Sequence, residues 1–228
     1  MIVLAGYDGI EVTIPDTAYT LDGFRDWVNS DDFPERGLIT YFQGDVIVDM
    51  SPERIESHNK VKAEIGRVLG NLVRQLDCGV FYTDRLWFTN DDANLSTEPD
   101  ASFATWETLE SGRFKLIPST QHGQDGLEMR GRPDWVVEVI SKSSVKKDKE
   151  ILFKAYREAG VGEYWLIDAR GDDLQFEVFN LAGDEFVQAM LSDDWIASKV
   201  FGHEFSLTRD RDRIGGRQYT LHVRTAAT

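Results

Sequence analysis

Apolar residues recur at helical spacing between about Ser57 and Asp77, where Val61, Ile65, Val68, Leu69, Leu72 and Leu76 share one face. The spacing predicts an amphipathic helix stopped by Cys78-Gly79. His58 falls near the centre of the stripe at its N-terminal end, with Lys62 at one edge and Glu64 at the other. A second helix is expected after Ser143-Ser144, which offer N-caps. Leu152, Ala155, Tyr156 and Ala159 form its apolar face, and Gly160 ends it.

Strand signals surround these helices. Leu38 to Met50 reads as a hairpin turning at Gly44-Asp45. Val80 to Thr89 is rich in aromatic and β-branched residues. Pro99 to Thr105 is shorter, with Asp100 at its start. Trp106 to Arg132 is ambiguous, with Gly112, Pro118, Gly123 and Gly126 marking loop. Pro133 to Ser141 is the strongest strand, apolar on both faces and therefore expected at the sheet centre. Glu163–Ile167 and Leu174–Leu181 follow, and Trp195 to Thr208 reads as short edge structure. The order helix, three strands, helix, strand (αβββαβ) predicts an α/β fold, a mixed central sheet flanked by helices. Residues 1–36 read as an irregular acidic extension, 37–208 as the domain, and 209–228, with the mixed-charge run Arg209 to Arg213, as a peripheral tail.

Composition narrows the chemistry. The 228 residues carry 40 Asp+Glu against 25 Lys+Arg, a net charge of −15. That balance argues against a protein that coats nucleic acid or an anionic membrane. The single Cys78 excludes an intramolecular disulfide and a cysteine-rich zinc site. His58, His122, His203 and His222 are too scattered for a helical zinc motif. No stretch approaches the roughly 20 apolar residues that span a bilayer, and no secretory leader is evident. A soluble, cytoplasmic chain is expected.

Glu138 is the most informative residue, because every neighbour in WVVEVI is a bulky hydrophobe. A carboxylate there must be paired with a Lys or Arg, protonated, bound to a metal or used as a catalytic acid. Asp134 lies on the same face but about 13 Å away at the usual strand rise, too far to share an ion. A partner from another strand is needed, and Asp100 qualifies. Two such carboxylates make a hard oxygen site suited to Mg2+ or Mn2+. A metal held this way serves phosphodiester hydrolysis, where a nearby lysine would stabilise developing charge. Lys146, Lys147 and Lys149 follow directly; most of that cluster reads as a solvated helix face, but Lys147 in the first turn could fold back towards the strand end, and Lys149 flanks the buried face.

The run PDWVVEVISKSSVKKDKEILFKAYREAGVGEYWLIDARG resembles the Uma-two family, described generally as restriction endonucleases within the PD-(D/E)xK nuclease superfamily. GDVIVDMSPERIESHNKVKAEIG and PDASFAT resemble other elements of that family, so the likeness spans roughly Tyr41 to Leu207. The resemblance implies a restriction-endonuclease-like core acting on DNA, with Asp100 and Glu138 as metal ligands. It also places His58 at the family's helix-start histidine and Glu64 where an additional acid can occur. The chain departs from the pattern at the lysine: Ile140 stands where the superfamily places it, and Leu152 where the family commonly does. The role would then fall to Lys147 or Lys149. Double-strand cleavage calls for two active sites, which a homodimer would supply.

Three functions compete on these grounds: a metal-dependent endonuclease, a nuclease-derived binding or regulatory module without turnover, and a hydrolase of another phosphate ester. The charge is also uneven. Arg113 to Lys154 holds 9 bases and 6 acids, leaving 16 bases and 34 acids elsewhere. The acidity therefore predicts salt-sensitive DNA binding confined to one face.

Overall fold

A computed structural model of the chain describes residues 2–5, 11–119 and 123–226; His122 lies outside them. The central sheet has six strands, in the order Glu185–Gln188, Gln175–Ala182, Glu163–Asp168, Trp135–Val139, Ala101–Thr105 and Gly79–Thr83. Trp135–Val139 runs parallel to Glu163–Asp168 and antiparallel to Ala101–Thr105. All five of its residues are buried, as its unbroken apolar run predicts.

Among the described residues four α-helices accompany the strands: α1 (Leu21–Val28), α2 (Lys60–Leu76), α3 (Trp106–Glu110) and α4 (Phe153–Glu158). The stripe of α2 packs Val61, Ile65 and Leu69 against Trp135, Val137 and Val139 on one face of the central sheet. On the opposite face, Ala155 and Tyr156 of α4 meet Val136, Ile140 and Tyr164. That second core continues through Phe42 and Phe88 into another six-stranded sheet. The predicted hairpin forms two of its strands, Leu38–Phe42 and Asp45–Asp49, with Gln43 and Gly44 both at positive φ in the turn.

The mixed α/β class holds, while the chain order is more elaborate than αβββαβ. Val80 to Thr89 is two strands in different sheets, Gly79–Thr83 and Trp87–Asn90. They part at Asp84-Arg85, where Arg85 adopts φ 67 and breaks the pleat. Residues 106–132, ambiguous in the sequence, hold α3 and the strands Phe114–Ser119 and Gly123–Gly131.

Both ends also depart from expectation. The 1–36 segment is not irregular: Ile2–Ala5 pairs with Glu11–Ile14, and α1 follows, capped by Thr20 accepting from the Gly23 amide at 3.2 Å. Phe24 and Trp27 of α1 bury with Tyr41 and Trp87 in a third core. Gly23 lets the start of α1 lie against the turn before it, since a side chain there would overlap the Thr17 carbonyl. The 209–228 segment is not peripheral either. His203–Arg211 and Arg217–Thr225 form a long hairpin within a four-stranded sheet, and Tyr219 and Leu221 enter the core beneath α2.

Helix starts differ too. A turn of π-helix, Ile55–Asn59, precedes α2, and another, Lys147–Leu152, precedes α4. These widened turns carry His58 and Lys147 respectively, the kind of placement π-turns often have at functional sites.

Candidate active site

Glu138 is 2 % exposed, in the middle of the central sheet. Its Oε1 accepts a hydrogen bond from the Tyr156 hydroxyl at 2.6 Å. Burial raises its pKa well above the usual carboxylate range; Lys147 opposes that rise, while Asp100 and Asp148 add to it.

Asp100 stands just before Ala101–Thr105, and its Oδ2 accepts from the Val139 amide at 2.7 Å. That bond ties it to the residue following Glu138, on the neighbouring strand. Burial alone would raise its pKa, but His58, Lys62 and the Val139 amide outweigh it and hold the carboxyl below its ordinary value. Asp100 is thus hydrogen-bonded to the backbone of the strand that carries Glu138.

Lys147 is the buried lysine of the site, at 8 % exposure. Its Nζ lies 3.4 Å from Asp148 Oδ1. Burial works against its charge, yet Glu138, Asp148 and Asp100 outweigh that and raise its pKa. Asp148 is lifted by burial to about 6, with Lys147 and Ser144 pulling the other way. Ser144 donates to Asp148 Oδ2 and accepts from the Ser141 amide at 2.8 Å, fixing the turn that presents Lys147.

The opposite wall comes from the start of α2. His58 Nε2 lies 3.5 Å from Asp100 Oδ2, and its Nδ1 lies 2.6 Å from Glu53 Oε1. Burial lowers the pKa of His58, but Asp100 and Glu53 more than offset this and leave it raised. Lys62, one turn on, reaches Glu53 at 2.6 Å, Asp84 at 2.7 Å and Asp100 at 3.4 Å. Asp100, Glu138, Lys147, His58 and Lys62 all line one cleft of about 190 Å³.

Two expected members stay outside. Glu64 pairs with Arg67 at 2.8 Å and accepts from the Leu221 amide at 3.0 Å, fastening α2 to the C-terminal hairpin. Lys149 is exposed and does not line the cleft. Asp134, too far along the strand to share an ion with Glu138, accepts from the Thr105 amide at 2.7 Å and the Thr108 hydroxyl at 2.8 Å. Ile140 and Leu152 are fully buried in the α4 core, so an apolar side chain suits both positions. Sequence reading missed Glu53, Lys62, Asp84 and Asp148. Only Lys62 carried a signal, one helical turn from His58 at the edge of the apolar stripe.

The donor set suits a magnesium-like ion. Asp100 and Glu138 offer hard oxygens on one cleft, and Mg2+ is held by one or two carboxylates with water completing its shell. Among the described residues no group of three or more His, Cys, Asp or Glu side chains is placed to hold a metal ion.

The fold is shared with a solved structure. It matches a crystal structure described as "a putative nuclease belonging to DUF820" from Anabaena variabilis ATCC 29413, with a TM-score of 0.59 and 21% identity, covering 80% of this chain and 90% of that one. The sequence profile of the Uma2 family, described as "Putative restriction endonuclease", matches residues 21–210. The chain belongs to the Uma2 family. No curated protein matches it. None of the helices among the described residues is long and apolar enough to cross a membrane.

Proposed function

We propose that the protein is a metal-dependent endonuclease that hydrolyses DNA phosphodiester bonds at Asp100, Glu138 and Lys147. The observation that carries this reading is the convergence of two buried carboxylates and one buried ammonium on a single cleft. A divalent ion bound by Asp100 and Glu138, Mg2+ or Mn2+, would polarise a phosphoryl oxygen and lower the pKa of a bound water.

The chain's own residues prepare that chemistry. The Val139 amide orients Asp100, and the Tyr156 hydroxyl orients Glu138. Lys147, held by Asp148, presents a fixed positive charge to the negative charge that develops on the phosphate. Glu53 holds Nδ1 of His58, leaving Nε2 directed at Asp100, where it can hold a proton beside the reacting group.

A second reading, a nuclease-fold binding module without turnover, is favoured by one observation. The Asp100 carboxylate already has His58 and Lys62 beside it, a neutralised state that does not require an ion. Calorimetric titration with Mn2+ separates the two readings. The endonuclease reading expects saturable binding that Asp100→Ala and Glu138→Ala each abolish. Absence of binding by the wild type supports the silent module.

A further inference from the structure

On and beside the segments that line the cleft stand cations that, among the described residues, make no ion pair. Arg85 lines the cleft itself. Arg36, Arg54, Lys142 and Lys146 each adjoin a lining residue in sequence (Gly37, Glu53, Ser141 and Lys147), and all are exposed. Among the described residues none of the five makes an ion pair; the one polar contact is from Arg85 Nη2 to the Glu35 carbonyl at 3.1 Å. Exposed bases elsewhere are neutralised: Arg67 by Glu64 at 2.8 Å and Arg224 by Glu204 at 2.6 Å. In a chain with 40 acids against 25 bases, these five cations offset the carboxylates that line the cleft.

The acids of the mouth are meanwhile occupied. Glu53 and Asp84 are bound by Lys62. Asp49 accepts from the Ser51 amide at 2.9 Å and from the Ser143 hydroxyl at 2.7 Å. The Ser143 bond fastens the Lys142–Lys146 segment to the one leading to Arg54, and the Arg85 bond fastens its own turn to the one carrying Arg36. The five cations thus sit on two linked pairs of segments.

We infer that Arg36, Arg54, Arg85, Lys142 and Lys146 form a phosphate-binding rim that seats duplex DNA over the cleft. The inference rests on the nuclease reading and names the residues that hold its substrate. Each phosphate neutralised by such a side chain releases counterions and steepens the salt dependence of binding by about 0.9 in log–log slope.

The test is fluorescence anisotropy of the full chain with a labelled DNA duplex across a KCl series, with Ca2+ replacing Mg2+ so that the strands stay intact. The variant Arg36→Gln/Arg85→Gln/Lys142→Gln should bind at least about tenfold more weakly at low salt, with a slope shallower by about 2 to 3. Arg74→Gln/Lys199→Gln, which removes two exposed cations that do not line the cleft, should bind as the wild type does. The rim is overturned if the triple variant keeps wild-type affinity and slope, if the control loses as much, or if the wild type binds no duplex. Failure here and failure of the nuclease reading are separable. Rim-dependent binding without strand cleavage in Mg2+ or Mn2+ keeps the rim and removes the nuclease; cleavage by a wild type whose binding ignores the rim does the opposite.

Discussion

The Tyr156 hydroxyl donates to Glu138 Oε1 at 2.6 Å across the boundary between α4 and the central sheet. Both groups are buried, so neither has water as a substitute. Tyr156→Phe removes a bond to a buried carboxyl while keeping the ring. It should lower stability by about 1–3 kcal/mol in urea denaturation. It also withdraws a group that favours ionised Glu138, so the acid limb of any pH–rate profile should move to higher pH. Wild-type stability with an unmoved profile would show that the bond has no role.

Lys147 and Lys149 are separated by environment rather than by distance along the chain. Lys147→Met should cost at least about 100-fold in nicking rate, the scale of losing one fixed electrostatic contact to the transition state. Lys149→Met should leave the rate within about twofold, since that side chain lies outside the cleft. The reverse pattern would reassign the lysine.

Much of this site was legible because Glu138 interrupts an unbroken apolar strand, a conflict that only burial chemistry resolves. Asp100 was legible through its place at the start of a second strand. The remaining members come from positions where polar residues are ordinary. Glu53 and Asp84 sit in connecting turns, and only the three-dimensional approach of α2 gathers them around Lys62. The π-turns that aim His58 and Lys147 leave no trace in spacing. The second sheet was hidden because its strands are short and alternate between sheets, as at Asp84-Arg85. The C-terminal hairpin was masked by its charged tip, although Tyr219, Leu221 and Val223 alternate as a half-buried strand should. Glu163 looked like an ordinary strand start. It is fully buried, accepting from Trp165 Nε1 at 2.6 Å and the Ser198 hydroxyl at 2.7 Å, and it joins the central sheet to the C-terminal one.

Glu98 gives the fold a pH dependence. Burial raises its pKa to about 7, with Arg85 and Lys147 opposing and Asp84 adding to the rise, and its Oε2 has no hydrogen-bond partner. A carboxyl whose folded pKa exceeds its unfolded value contributes stability that is fully present below the unfolded value, near 4.5, and is lost as pH rises through about 7. The wild type should therefore melt at lower temperature at pH 8 than at pH 6, relative to Glu98→Gln at the same two pH values. A constant difference between the two proteins across this range would contradict the assignment.

Lys62 competes for the Asp100 carboxylate with any ion that binds there. Its contacts to Glu53 and Asp84, at 2.6 and 2.7 Å, are shorter than its 3.4 Å approach to Asp100. Lys62→Met removes that positive charge and should tighten Mn2+ binding by roughly tenfold, about 1.4 kcal/mol. Calorimetry reads this directly. Unchanged or weakened Mn2+ binding would show that Lys62 is only a structural tie between α2 and its neighbours.

The most direct test of the central claim is nicking of supercoiled plasmid in Mg2+ or Mn2+ by the wild type, Asp100→Ala and Glu138→Ala. The endonuclease account predicts nicking by the wild type that stops on chelation with EDTA and is lost in both variants. Undiminished nicking by both variants would place the chemistry elsewhere, and a wild type that leaves the plasmid intact in either metal would contradict the account.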